Sequence, residues 1–550
     1  TIQIITMRIN PDREGDFQLL AQLCYNTAMQ KLPIGIQFFD SLREGNFLYV
    51  DKTEQIYRLI NTGTFVFLSR PRRFGKSLLV STLQHLFQGH REHFRGLWIE
   101  DKVDWKPRPV LVINFNDLDY HEQPLERALT NHLDRLAAEH QVQLQAEHYK
   151  DKFQELIVCL SAEQKIVLLI DEYDRAITDL LENEQKVAEH IATLKNFYSV
   201  LKTTASNHIH WTFLTGISKY GKLSLFSDLN NLLDITLDER FATLVGYTQE
   251  ELERYFPDRI EALAARFAVS RAEMVEAIRF WYNGFSWDGK QTLYVPFSTL
   301  VFFELQSFEN HWFATATPSF LIKLLRSNQV AAYELDEIYA DNRLLDSADV
   351  NHIDAVSLLF QTGYLTIRER LPSVAGTEYR LGYPNHEVAQ AFRQYLLADY
   401  LGPRVGALPS SLTGRLQKAL RRDSIAEFVL ILNSIFASIP HTIHLPLEAY
   451  YHSLVYLILS VLGFEVNAEE VMAHGRIDAV LELPNRIYII EFKMTSAQVA
   501  LDQIRARGYD QPYRASGKPV VLIGIAFDKE KRAIGDWKSE PAAEQSQRNQ

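Results

Sequence analysis

Four near-continuous apolar runs, TFVFLS, PVLVINF, KIVLLID and HWTFLTGI, recur between residues 64 and 217 with helical stretches between them. A strand that is apolar on both faces cannot leave either face to water, so helices must cover both sides. Strands alternating with helices in this way form a parallel sheet. The pattern predicts an α/β architecture of the nucleotide-binding kind over residues 29–245, and it limits what the rest of the chain can be.

At 550 residues the chain exceeds one hydrophobic core, and its length suggests roughly three or four domains. Residues 1–28 precede the coherent pattern and read as an extended start, a tag remnant or a docking arm. Residues 246–335 read as mostly helical, beginning where Thr248 and Glu251 form a capping box. Residues 336–400 give a helix (NHIDAVSLLFQTG), a strand (YLTIRER), a turn, EYRLGYP, and a helix opening at Asn385. That is the order of a winged helix, and an unrelated α/β insert would give the same pattern. A polar helical connector is expected over 401–440 and a compact α/β unit over 441–538. The stretch SEPAAEQSQRNQ, 539–550, is expected to be a disordered tail.

Charge narrows the partners. Lys+Arg 57 against Asp+Glu 69 gives 57 − 69 = −12, which argues against a whole-protein electrostatic grip on DNA or an anionic membrane and leaves local basic grooves. Cys24 and Cys159 have no metal-ligand spacing, as expected of a reduced protein without structural zinc. No apolar run approaches the roughly 18 residues of a membrane span, and no signal-peptide core opens the chain. A cytoplasmic protein without membrane contact is expected.

The first chemistry lies in TFVFLSRPRRFGKSLLVSTL. A phosphate loop needs a strand, a turn aiming backbone N–H groups inward, a Lys for the β/γ-phosphates, a hydroxyl for Mg²⁺, and a helix N-terminus behind. Gly75, Lys76 and Ser77 meet the last requirements. Arg70 stands where the first glycine of G-x-x-x-x-G-K-[ST] is usual, with Pro71 fixing φ just after it. Arg70 and Arg73 are taken as cofactor-binding candidates; Arg72 and Arg73 either contact phosphates or only solvate the loop. In KIVLLIDEYD the strand ends at Asp171, expected to order Mg²⁺, and Glu172, expected to polarise the attacking water. Thr215, ending another strand, is a candidate γ-phosphate sensor. Arg175, Lys219 and Arg240 are open candidates for transition-state charge.

The second chemistry lies in GRIDAVLELPNRIYIIEFKM. Alternation puts Glu491 and Lys493 on one face of a strand, with Phe492 opposite. Asp478 is on the preceding strand, Glu448 opens a helix upstream, and a downstream helix can bring Gln503 to the same edge. Carboxylates and a lysine converging there could hold one or two Mg²⁺ ions and activate water against a phosphodiester. Each residue alone reads more plainly, as a solvated strand edge or a helix-dipole partner; their joint order is rarer.

These strings, with KLPIGIQFFDSLREGNFLYVDKT, FLTGISKYGKLSLFSDLNNLLDIT, WYNGF, TPSFLIKLL, QTGYLTI and YPNHEV, resemble a bacterial and archaeal family. That family pairs an AAA-type ATPase-like domain with a C-terminal PD-(D/E)XK nuclease-like domain, and the match spans about Lys31 to Lys538. The resemblance implies a P-loop NTPase sheet, a restriction-endonuclease-like C-terminal domain, ATP and Mg²⁺. It implies Lys76 and Ser77 at phosphate and metal, Asp171 and Glu172 as Walker B acids, and Glu448, Asp478, Glu491 and Lys493 as the nuclease set. The family's loop itself reads R-P-R-R-F-G-K-S. Ile477 replaces the proline of "PD", and Tyr509 lies six residues after Gln503 where a Q-x-x-x-Y pattern requires four.

Two functions of different class follow. One is an ATP-regulated nuclease acting on nucleic acid, DNA by preference, suited to DNA processing or defence. The other is a nucleotide switch whose nuclease-like fold is a binding module. The intact acid–acid–lysine set favours the first. The second gains from ten Lys/Arg against eleven Asp/Glu over 441–535, which is not a basic surface. A homo-oligomer is open, because AAA-like sites often borrow a neighbour's arginine. A translocating helicase has little support with one ATPase core.

Overall fold

The computed structural model describes residues 29–219, 225–226, 231–312, 319–328, 330–345, 354–374, 376–402, 410–439, 448–472 and 475–542. The expected extension, 1–28, lies outside them.

The four apolar runs form strands β1 (Phe65–Ser69), β2 (Val110–Asn114), β3 (Ile166–Asp171) and β4 (Ile209–Gly216), joined by the short β5 (Leu232–Asp234). All pair in parallel in the order β2-β3-β4-β1-β5. Every residue of β1 and β3 is buried, as a sheet covered on both faces demands. Register aligns the carboxyl ends: Ser69 pairs with Gly216 and Asn114 with Asp171. The chain leaves β1 through the loop into helix α1 (Lys76–Phe87), so the loop and the acids share one edge, where open α/β sheets bind ligands.

The middle region is mostly helical, and the Thr248–Glu251 capping box forms. It includes α2 (Arg271–Tyr282) and a small hairpin of β6 (Asn283–Phe285) with β7 (Leu293–Tyr294). Strands β8 (Ile338–Asp341), β9 (Thr366–Ser373) and β10 (Gly376–Gly382) form an antiparallel sheet in the order β8-β10-β9. Helix α3 (Ala355–Thr362) precedes β9, and α4 (His386–Leu401) follows β10, capped by Asn385. Gly284, at φ +135°, joins the two parts: a Cβ there would lie 1.8 Å from the Pro384 carbonyl oxygen.

The C-terminal sheet has five strands in sequence order: β11 (Glu465–Met472), β12 (Gly475–Leu483), β13 (Arg486–Lys493), β14 (Val520–Asp528) and β15 (Ala533–Pro541). Only β13 and β14 are parallel, because helix α6 crosses over between them; α5 (Glu448–Val461) precedes the sheet and α6 is Ala497–Arg507. Two boundaries differ from expectation. The helix Ile425–Ser438 is no polar connector: seven of its side chains are buried. Its Asn433 brackets Ile534 of β15, accepting from the N–H at 2.7 Å and donating to the carbonyl at 3.1 Å. Strand β15 also runs through Pro541, three residues into the expected tail, whose last eight lie outside the described residues. No helix among the described residues is long and apolar enough to cross a membrane.

Candidate functional site

At the first site, the loop between β1 and α1 turns through Arg73, at φ +70°, and Gly75, at φ +91°. A Cβ on Gly75 would meet nothing within 4 Å, so the left-handed backbone alone favours glycine. The start of α1 then faces a cavity of about 570 Å³. Arg72, Arg73, Lys76, Ser77, Glu172 and Arg175 line its polar side. Pro33, Gly35, Ile36 and Phe38 together with Tyr247 and Phe297 supply its apolar lining, a role that KLPIGIQFF did not disclose as a string. Unpaired N–H groups and the helix dipole make this edge suited to phosphates.

Lys76 is buried, and its Nζ donates to the Pro71 carbonyl at 3.1 Å, holding the ammonium inside the loop. Burial pushes the Asp171 carboxyl up to about 6, against a hydrogen bond from Ser77 and the charge of Lys76. Asp171 Oδ1 is buried without a hydrogen-bond partner. A hydroxyl beside an orphaned carboxylate oxygen is a hard-oxygen donor set that fits Mg²⁺. Glu172 sits at φ +54° with its Oε2 3.7 Å from Arg175.

Two of the cofactor-binding candidates turn away from the cavity. Arg70 is 1% exposed: Nη1 donates to Ser69 O at 2.9 Å and Thr236 O at 2.8 Å, Nη2 to Phe241 O at 3.3 Å, and the guanidinium lies 4.1 Å from the Trp287 ring centroid. Burial pulls its pKa down to about 9, opposed by Asp234 and Asp288. It is an internal strut, so cofactor contact is corrected to a structural role. The Thr215 hydroxyl is likewise buried, donating to Leu68 O at 2.9 Å across the β1–β4 pair, which leaves no free hydroxyl to sense a phosphate. Arg73 does line the cavity, its Nη1 on His311 O at 3.1 Å. Of the three open arginine and lysine candidates only Arg175 lines it; Lys219 pairs with Asp234 at 3.1 Å and Arg240 with Asp238.

At the second site, β12 and β13 bring Asp478 and Glu491 to adjacent strands, one step beyond the Ala479–Ile490 pair. Asp478 Oδ2 accepts the Phe492 N–H at 2.7 Å. Glu491 is fully buried; its Oε1 accepts from Lys493 Nζ at 2.9 Å and from the Gln503 amide of α6, while Oε2 has no partner. Burial raises the Glu491 carboxyl, against Lys493. Burial pulls Lys493 down, but Glu491, Asp478 and Glu448 outweigh it and hold the ammonium above the ordinary lysine range. Glu448, the first residue of α5, therefore belongs to the same electrostatic cluster. Gln503, whose spacing to Tyr509 departs from Q-x-x-x-Y, meets Glu491, whereas Tyr509 is buried in the core.

One neighbour escaped the sequence. His452 lies on α5 one turn from Glu448, its ring stacked 4.1 Å from Tyr333 and 5.0 Å from Phe492. Burial pulls its pKa down to about 4, partly offset by a hydrogen bond to the Asp478 backbone. It is a neutral buttress for the Asp478 strand, and a histidine inside an apolar helical run gives no pattern to find it by. The orphaned Glu491 Oε2 beside Asp478 is compatible with a cation, although no group of three or more His, Cys, Asp or Glu poised to hold a metal occurs among the described residues.

A parallel sheet with a phosphate-type loop, joined to a five-stranded sheet bearing an acid–lysine cluster, defines an ATPase-like protein with a nuclease-like module. Family comparison agrees in both halves: residues 33–226 match the predicted AAA-ATPase family and residues 447–537 the PD-(D/E)XK nuclease superfamily. The chain is 38% identical over 522 residues to an uncharacterized protein in the vnfD 5′ region of Azotobacter chroococcum mcd 1, covering 92% of this chain and 98% of the relative. It belongs to this family of AAA-ATPase-like proteins with a C-terminal PD-(D/E)XK domain. Among solved structures, the Aeropyrum pernix ORC2 protein (ADPNP–ADP complexes) aligns with 63% of this chain and 90% of its own, at 12% identity and a TM-score of 0.24.

Proposed function

We propose that the chain binds and hydrolyses ATP at the loop and couples nucleotide state to Mg²⁺-dependent cleavage of a phosphodiester in nucleic acid, DNA by preference, in the cytoplasm. The observation that carries the reading is the meeting of Asp478, Glu491, Lys493 and Gln503, from two strands and a helix, with Glu448 within electrostatic reach. Bound Mg²⁺ would supply Lewis acidity and a lowered water pKa at both sites. At the loop, Lys76 and the α1 N-terminus bind the phosphate chain, Ser77 and Asp171 offer oxygens to the cation, and Glu172 orients water. At the second site Asp478, Glu491 and Glu448 supply oxygens, and Lys493, held protonated, neutralises charge on the phosphate.

A second reading has an observation of its own. Lys493 is engaged by Glu491, which suits a switch whose nuclease-like domain only binds. The deciding experiment measures cleavage of labelled linear and single-stranded DNA with Mg²⁺, with and without ATP, by the intact chain, Lys76→Ala and Asp478→Asn. Cleavage lost in Asp478→Asn, and made indifferent to ATP by Lys76→Ala, supports the coupled nuclease. Absence of cleavage alongside Lys76-dependent ATP binding refutes it in favour of the switch.

A further inference from the structure

A second cavity, of about 450 Å³, lies between α2–β6 and the start of α4. Its walls use two strings that neither chemistry absorbs: WYNGF supplies Asn283 and Gly284, and YPNHEV supplies Tyr383 to His386.

Its lining is that of a ligand site. Arg279, Arg368 and Arg393 line the cavity with a single carboxylate, Asp336, which Arg393 already engages, while Arg279 is paired at 3.7 Å with Glu276, which is not part of the lining. Arg368 makes no ion pair among the described residues. Asn283 and Asn385 are each 6% exposed. Asn385 Oδ1 caps α4 by accepting the Val388 N–H at 3.0 Å, yet its Nδ2 is buried without an acceptor. Beyond the neighbouring Tyr294 hydroxyl, neither amide atom of Asn283 has a partner, and Arg393 Nε has none. A buried polar group left unmet carries its full desolvation cost, and native structures retain few of them without a role. Phe280, 59% exposed, stacks at 4.7 Å on His386 and presents an aromatic face at the rim. The volume falls within the roughly 300–1,000 Å³ of small-molecule sites.

Excess guanidinium calls for an anion and favours phosphate, which its planar fork matches. Paired amides with an aromatic face call for a planar base with donors and acceptors on its edge. We propose that this cavity binds a nucleoside monophosphate as an effector, phosphate toward Arg368 and Arg393, base toward Asn283, Asn385 and Phe280.

The cavity's position gives an occupant leverage on both sites. Glu387, beside His386, accepts the N–H groups of His311 and Trp312 at 2.6 and 2.7 Å, and Trp312 Nε1 reaches Arg72 O of the loop at 3.4 Å. On the other side, Arg393 holds Asp336, which accepts from the Tyr456 hydroxyl of α5. Glu448, His452 and Tyr456 recur every four residues along that helix, on one face.

The test is calorimetric titration of the full-length Lys76→Ala chain, which weakens competing binding at the loop, with AMP, GMP, CMP and UMP. Inorganic phosphate, the free nucleosides and a short DNA duplex are the controls. Asn385→Asp keeps the capping oxygen but replaces the donor with an anion, and Arg368→Gln alters a solvent-accessible side chain; unchanged melting temperatures would establish that both fold. The expected result is one-site binding of at least one monophosphate, weakened about tenfold or more by either substitution. No saturable binding, binding indifferent to both substitutions, phosphate binding as tightly as the nucleotide, or binding of the duplex alone would each overturn the proposal. None of these outcomes depends on whether the chain cleaves DNA, so failure here and failure of the nuclease reading are separable.

Discussion

Placing glycine at the first loop position, Arg70→Gly, is expected to harm the fold and leave nucleotide affinity nearly alone. The Arg70 guanidinium donates to three carbonyls, Ser69, Thr236 and Phe241, and rests on Trp287. Removal takes a donor from each carbonyl, although Phe241 O keeps the Leu244 N–H at 3.2 Å, and opens a cavity beside the indole, the kind of loss that costs about 3–5 kcal/mol when one side of a buried charged network is deleted. A charge whose pKa burial holds near 9 is itself costly, so Arg70→Met, which fills the space without the charge, should lose about half as much. For a domain of this size each kcal/mol shifts the melting temperature by about 2–4 °C, which gives a fall of about 6–20 °C for glycine. Differential scanning calorimetry reads the fall, and ATP titration at a temperature where the variant is folded reads affinity, expected within about threefold of the parent. A variant that melts with the parent but loses ATP binding would refute the strut and return Arg70 to the phosphates.

Other expectations follow from the same geometry. Burial pushes Glu387 up to about 7 from 4.5, so the folded state holds this proton more tightly. Stability from this group is then full below about pH 4.5, falls as pH rises to about 7, and is constant above, by at most about 3 kcal/mol; Glu387→Gln should remove that component from melting temperature against pH, and an unaltered profile would contradict it. Asn433→Leu removes both hydrogen bonds to Ile534 and should cost about 2 kcal/mol, read by chemical denaturation. Gln503→Ala should lower cleavage about tenfold or more while leaving ATP binding unchanged; equal loss of both would mean a folding defect. Chelation with EDTA should abolish cleavage, and Mg²⁺ should restore it.

The sheet, the loop and the paired strand-end acids were legible because burial on both faces writes itself as continuous apolar runs. The direction of a side chain was not. Arg70 and Thr215 sit where a phosphate contact is plausible, and only the neighbouring carbonyls of Ser69, Thr236 and Leu68 show where their donors go. Gln503 was obscured for the opposite reason: its spacing to Tyr509 is wrong for the expected pattern, but the turn of α6 alone decides that it meets Glu491. The Asn283–Asn385 cavity draws on segments about a hundred residues apart, and Ile425–Ser438 reads as a connector in sequence because the sheet that covers it comes later in the chain.

The brace on the phosphate loop carries a consequence for synthesis. Arg72 and Arg73 are held by His311 and Trp312, which are held in turn by Glu387. At the usual 5–20 residues per second, a ribosome needs about 15–60 s between making the loop and making Glu387. The nascent ATPase-like domain must wait that long with its loop unbraced, and a fragment cut at residue 226, where the family match ends, never acquires the brace.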